Sequence, residues 1–460
     1  MPLTRRDLLR SSALGAGALA LGNVGALFTA PGSALAATVG GYGRIMDDPA
    51  GLLDLAKGFR YRIVSEVGDP LRGGGSVPDA FDGTAAFAAP SGATLLVRNH
   101  EQSTSGTPKV VGPAAVTYDP GAAGGTTTLK VDANGILLDE YVSLAGTHTN
   151  CAGGVTPWGT WLTCEETEAK AGGALTKDHG FVFEVDPINK ARNNNPIPLK
   201  AMGRFAHEAV AIDPRTNFAY LTEDAGSPNG LLYRFVPVER TARYGAYRRG
   251  GTLTAMLCRD NGQIVTDLSP YRTPGKRLSV QWVPVADAQA SSVSIRKQFQ
   301  WTGDPSNAGG PITRSRKFEG AWWGNGRVYV VTSFARLSDG SLAEHDGQVW
   351  SYDPSTASLR LELRLAINTA PSGNGADKPD GPDNIAVNPH GGLMLAEDGS
   401  GVQHLLTVSP DGTTSVFARN ARDDGEFTGV CFSPDGKTMF ANLQKPGITF
   451  AITGPFANAH

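Results

Sequence analysis

At 460 residues with 40% hydrophobic content, the chain can bury a large core, and length alone allows two or three domains or one large repeat fold. A formal net charge of −3, with no run of Lys or Arg after the first ten residues, argues against nucleic acid or an anionic membrane as a partner. The 58 glycines and 30 prolines are scattered, which favours many short strands and tight turns over long helices.

Residues 1–36 read as an export signal. Arg5 and Arg6 precede an apolar stretch from Ala13 to Phe28, and Ala34-Leu35-Ala36 offers a small-residue cleavage site. The layout resembles the twin-arginine (Tat) signal. That resemblance implies the Tat translocase as a partner during export, a secreted or cell-envelope location, and a protein able to collect metal before it leaves the cytoplasm. Glycines break the apolar run, so a removed leader is expected and no stable membrane anchor. Four cysteines in an exported chain are compatible with disulfides, although Cys258 and Cys431 lie in apolar surroundings and read as packing residues.

After the leader, Arg60 to Glu66 alternates as a strand does, and a hairpin pattern then returns six times. The hairpins run over residues 82–101, 146–167, 207–224, 318–334, 381–398 and 426–443. Each has a small or acidic start, about five residues of strand, a Gly/Pro/Asn turn and a β-rich return ending in a polar group. Further strand candidates lie between them at 180–186, 230–235 and 347–353. Two hairpin strands plus one or two outer strands make a blade, so the expectation is an all-β, six-bladed β-propeller built from residues 37–460. The largest insertion, at about 239–300, reads as excursions on the blade faces. The last blade runs out of chain after Ile452, and the N-terminal strand at 60–66 is expected to close the ring. A β-sandwich with a second all-β domain is the other architecture these strands allow.

In a propeller the start of the innermost strand and the end of its neighbour meet at one mouth of the channel. Those positions carry the ligand-type residues of this chain. Hairpin one ends in Asn99-His100-Glu101, and hairpin two supplies Cys151 and the adjacent Glu165 and Glu166. Hairpin three has Glu208 at its start and Glu223-Asp224 at its end, and hairpin four starts with Glu319. Hairpin five has Asp383-Asn384 and Glu397-Asp398, and hairpin six opens with Glu426. A single such acid is usually a solvated turn residue. Acids from every blade facing one funnel would repel one another unless cations neutralised them. The candidate metal ligands are therefore Cys151, Glu165, Glu166, Glu208, Glu223, Glu319, Asp383, Glu397 and Glu426. Oxygen-rich ligation suits Ca²⁺, Mg²⁺ or Mn²⁺, and an added thiolate points to a softer transition metal such as iron. With 8 histidines in the chain, a His-rich zinc site is disfavoured; His100 and His207 read equally as ligands or as structural residues. No GxSxG elbow and no GxxxxGKS phosphate loop occur.

Together, the twin arginines, Asn99-His100-Glu101, the NCAGG, TPWGT and LTCEE segments between Asn150 and Glu166, RFAHEAVAIDP from Arg204, and FEGAWW from Phe318 resemble the PhoX family of bacterial alkaline phosphatases. The resemblance implies a propeller with two irons and calcium ions bridged at one mouth, and hydrolysis of phosphate esters. It assigns Cys151 as the iron thiolate, Glu208, Glu319 and the acids after Cys164 as ligands, and Asn99 as a phosphate-holding residue with Glu101 beside it. A phosphate-clamping arginine is less easily placed; Arg336 and Arg98 are the candidates, and Arg336 is taken. The expected protein is a secreted, monomeric metal-dependent phosphatase with Fe³⁺ and Ca²⁺ as cofactors, acting on small phosphate monoesters and also on diesters. The alternatives are a calcium-dependent propeller hydrolase of another ester class, such as a lactonase, and a non-catalytic propeller stapled by metals.

Overall fold

Six innermost strands stand around a common axis, each touching the next: Phe81–Ala88, Asn150–Val155, His207–Asp213, Phe318–Gly324, Pro382–Val387 and Phe427–Phe432, with the sixth returning to the first. The computed structural model describes residues 41–367 and 378–458; the twin-arginine leader and its cleavage site lie outside the described residues. Inner strands read as near-continuous buried runs, as for His207–Asp213, because both faces are covered by neighbouring blades. Outer strands alternate, as Ser358–Leu365 does with every second residue buried.

Hydrogen bonding divides the described strands into five sheets. Blades one, two, five and six correspond to separate sheets. Blades three and four are joined through Arg277–Pro284, which pairs with Gly251–Asp260 on one side and with Ser358–Leu365 on the other. The stretch expected as a 239–300 excursion therefore includes the outer strand of blade three and this bridge. The N-terminal segment closes the ring: Arg60–Glu66 pairs antiparallel with Ile448–Thr453 as the outermost strand of blade six. Just upstream, Leu53–Ala56 pairs with Thr414–Asn420 at the edge of blade five. Among the described residues no helix is long and apolar enough to cross a membrane.

Two local devices shape the mouth of the channel. Each inner strand has a register shift against its partner just inside its start, between Phe81 and Thr84, Asn150 and Gly153, His207 and Val210, Phe318 and Ala321, Pro382 and Ile385, and Thr428 and Cys431. Such bulges re-aim a side chain and sharpen the local twist. In addition, four of the six strands are entered through a left-handed residue: Ala80 (φ 56°), Thr149 (φ 52°), Lys317 (φ 49°) and Gly381 (φ 52°). Three of these are not glycine, so backbone strain is held at this rim.

Candidate metal centre

The bulges place the second residue of five inner strands at one position in the funnel. Those residues are Asp82, Cys151, Glu208, Glu319 and Asp383, with Thr428 in blade six. A second set comes from the residue immediately after the second strand of each blade: Glu101, Glu166, Asp224, Ser333, Asp398 and Gln444. Potential ligand atoms lie within 4.8 Å of one another in three groups: Cys151, Glu166 and Glu208; Glu208, Glu319 and Asp383; and Asp383, Asp398 and Glu426. Glu208 and Asp383 are each shared by two groups. The three sites thus form a chain linked by common carboxylates.

The electrostatics of the cluster are lopsided. Burial, followed by mutual repulsion, pushes the carboxyls of Asp82, Glu166, Glu208, Glu319 and Asp383 well above their ordinary range. Glu426 is pushed up to about 8 by burial and by Asp398 and Glu101. The Cys151 thiol is raised by burial and then by Asp82 and Glu208, and it donates to Glu208 Oε1 at 3.0 Å. Lys317 sits among these acids, with Nζ 2.7 Å from Glu319 Oε1 and 3.2 Å from Asp224 Oδ2. Burial works against its charge, but Glu319, Asp224 and Asp383 outweigh burial and raise its pKa. Lys317, together with Lys445 near Glu101 and Glu426, offsets only part of this repulsion, and Asp383 Oδ1 has no hydrogen-bond partner among the described residues.

The expected site residues divide into two sets. Cys151, Glu166, Glu208, Glu319, Asp383 and Glu426 come together. Glu165, Glu223 and Glu397 do not: each ends its strand one residue before the funnel position, and the pleat turns it to the opposite face. Glu165 accepts from the backbone of His148, Gly180 and Phe181 and lies 2.6 Å from His179 Nδ1. Glu223 accepts from Tyr233 Oη at 2.6 Å and from Arg296 at 3.0 Å. Glu397 is held by the backbone NH and Nδ1 of His404.

Asn99 is fully buried beneath the site. Its Nδ2 donates to the Cys151 and Ala152 carbonyls at 2.9 and 2.8 Å, and its Oδ1 accepts from Trp161 and Thr163. Its position is that of a support for the Cys151 backbone. Arg336 is paired with Asp346 at 2.7 Å and donates to the Ala335 and His345 carbonyls. Arg98 is buried against Glu140 at 2.5 Å. His100 and His207 bond backbone or hydroxyl groups outside the cluster. The four described cysteines are free thiols.

Asp82 and Lys317 join the funnel although neither is among the expected ligands, and in the Glu223-Asp224 and Glu397-Asp398 pairs it is the second acid, not the expected first, that follows the strand into it. Repeat register would have found Asp82, since it precedes Gly83 as Glu319 precedes Gly320. Lys317 carries no comparable signal.

A sequence profile of the alkaline phosphatase PhoX family matches residues 40–140 and 120–447. No curated protein sequence matches the chain. Among solved structures, the chain is similar to Pseudomonas fluorescens PhoX in complex with vanadate, a transition state analogue. The TM-score is 0.67 at 19% identity, over 92% of this chain and 99% of that one. A gluconolactonase from Xanthomonas campestris matches more distantly, with TM-score 0.41 and 12% identity over 90% of this chain and 98% of that one.

Proposed function

The chain belongs to the alkaline phosphatase PhoX family and is a phosphoric ester hydrolase, and from that premise we propose that it cleaves phosphate monoesters, and also diesters, at a mixed iron and calcium cluster. The observation that carries the reading is the chain of three ligand groups linked through Glu208 and Asp383. The donor set fits such a cluster. Cys151 with Glu166 and Glu208 offers a thiolate among oxygens, which suits iron, and the two all-oxygen groups suit calcium. Cations bound there would neutralise the carboxylates and polarise the phosphoryl oxygens.

The protein's own contribution is positioning and charge. Lys317 presents a permanent ammonium at the edge of the cluster, placed to donate to phosphoryl oxygens as negative charge builds in the transition state. Arg336, the arginine expected in this part, is instead paired with Asp346. Asn99 acts as a positioning residue, fixing the Cys151 backbone so that the thiol keeps its distance to Glu208. The vanadate complex of the Pseudomonas fluorescens relative supports a phosphate ester as substrate. Export by the Tat translocase to the cell envelope or medium, as a monomer, completes the reading. The test is elemental analysis of the purified protein together with hydrolysis of p-nitrophenyl phosphate before and after chelation. Iron and calcium in the protein, with turnover lost on chelation and restored by both metals, are expected. Full activity in metal-stripped protein overturns the proposal.

A further inference from the structure

Beside the acidic cluster, a cavity of about 900 Å³ opens between the loops of blades three and four. Asp224 and Lys317 line both the cavity and the cluster, so a phosphoryl group held at the cluster would direct the rest of its ester into this space. The walls are built in advance. The largely buried Arg314 donates from Nη1 to the Asn229 carbonyl at 2.9 Å, and from Nη2 to the carbonyls of Arg296 and Gln300 at 2.9 and 3.2 Å. It thereby ties the 224–229 loop to the 296–302 wall. Arg296 is itself anchored on Glu223 and Glu168, at 3.0 and 2.7 Å. Glu223, which does not reach the metal cluster, thus holds the wall of the adjoining cavity.

The lining is mixed in a way that suits a flat ring with polar edges. Trp301 is half-buried, and its six-membered ring packs against Gly303, where a Cβ would approach Cη2 to 2.2 Å. Pro311 and Ile312 add rigid apolar surface. Asn229, only 9% exposed, lines the same cavity with an Oδ1 that has no hydrogen-bond partner among the described residues. A glycerol-sized alcohol would leave most of this volume unfilled, whereas a nucleoside-sized group falls within the usual capacity of such pockets. We propose that the cavity receives the alcohol part of the phosphate ester and selects planar, ring-bearing groups of nucleoside size, which stack on Trp301. The proposal rests on the phosphatase reading and adds a substrate class to it.

The experiment compares adenosine 5′-monophosphate with glycerol phosphate in metal-loaded wild type, Trp301→Ala and Trp301→Phe, with binding of unphosphorylated adenosine measured by calorimetry. In Trp301→Ala, KM for the nucleotide should rise on the order of 10-fold with kcat little changed, as expected for loss of one base–aromatic stack. Glycerol phosphate kinetics should stay unchanged, adenosine binding should be lost, and Trp301→Phe should restore both nucleotide KM and adenosine binding. Turnover of both esters with their ratio unmoved by Trp301→Ala, or no binding of adenosine to wild type, overturns the proposal alone. No turnover of either ester by metal-loaded wild type overturns the phosphatase reading and this proposal with it.

Discussion

Cys151 Sγ and Glu208 Oε1 lie 3.0 Å apart although 57 positions separate the residues in the chain. Each is the second residue of an inner strand in adjacent blades, and each sits in the bulge that opens its strand. A thiol so close to a buried carboxyl is the arrangement expected of two ligands that would share one cation. On the proposed iron and calcium reading, replacing Cys151 with Ala should remove iron selectively, because its group loses the thiolate ligand, while the all-oxygen groups keep calcium. Metal content by elemental analysis reads this directly, and an unchanged iron content would count against the assignment.

Removing the metals should destabilise the protein in a pH-dependent way. Burial, and then repulsion among the acids, raises their folded pKa values above the ordinary carboxyl range, with Glu426 at about 8. A raised carboxyl pKa means that the folded state binds its proton more tightly. Stability of the metal-free chain therefore falls as pH rises from the ordinary carboxyl range to about 8. Chelated protein should melt several degrees lower at pH 8.5 than at pH 5.5, and added Ca²⁺ should flatten the slope. Equal slopes with and without metal would sink the idea.

Lys317, held between Glu319 and Asp224, is the cation to which the proposed mechanism gives the contact with the substrate anion. Lys317→Met should lower kcat/KM for p-nitrophenyl phosphate by about 100-fold, as loss of one preorganised donor commonly does. Lys317→Arg should recover part of the loss. Bound metal should not fall, which separates a substrate contact from a structural one.

A buried arginine of blade one bonds both its own blade and the closing strands of blade six. Arg98 of blade one donates to Glu140 at 2.5 Å, and to Thr449 and Ser65 of blade six at 2.7 and 3.3 Å. Arg98→Ala would leave Glu140 buried without its partner, at a cost of about 3–5 kcal/mol. Denaturant unfolding should show it, whereas the exposed Arg243→Ala should change stability by less than about 1 kcal/mol.

His179 bridges Glu165 and Asp119 at 2.6 and 3.3 Å, with Tyr118 and His148 against its ring. Burial pulls its pKa down, but Glu165 and then Asp119 outweigh burial and raise it above 6.5. Its contribution is therefore complete below the unfolded pKa and lost as pH rises through the folded one. The melting-temperature gap between metal-loaded wild type and His179→Gln should narrow from pH 6 to pH 9. A gap independent of pH would remove His179 as the titrating group.

The repeat was readable because its signals are local. Turns at Pro90-Ser91-Gly92 and Gly324-Asn325-Gly326, flanked by β-rich runs, announce hairpins without reference to the rest of the chain. The bridge at Arg277–Pro284 was not readable, because a strand that pairs with two distant partners shows only its own alternation. Adjacent acids such as Glu165-Glu166 and Glu397-Asp398 posed a further limit. Composition places both members of such a pair at the rim, and only the pleat decides which one faces the channel.

The sequence by itself determined that this is an all-β ring of hairpins bringing acids and one cysteine to a common end, since periodicity, turn chemistry and residue type are written along the chain. Tertiary structure alone decided that Glu166 and not Glu165 reaches the cluster, that Lys317 stands among its acids, and that Asn99 and Arg336 are occupied elsewhere. The reason is geometric: the pleat turns successive residues to opposite faces, and the distance between side chains from different blades depends on how six separately formed hairpins pack around one axis.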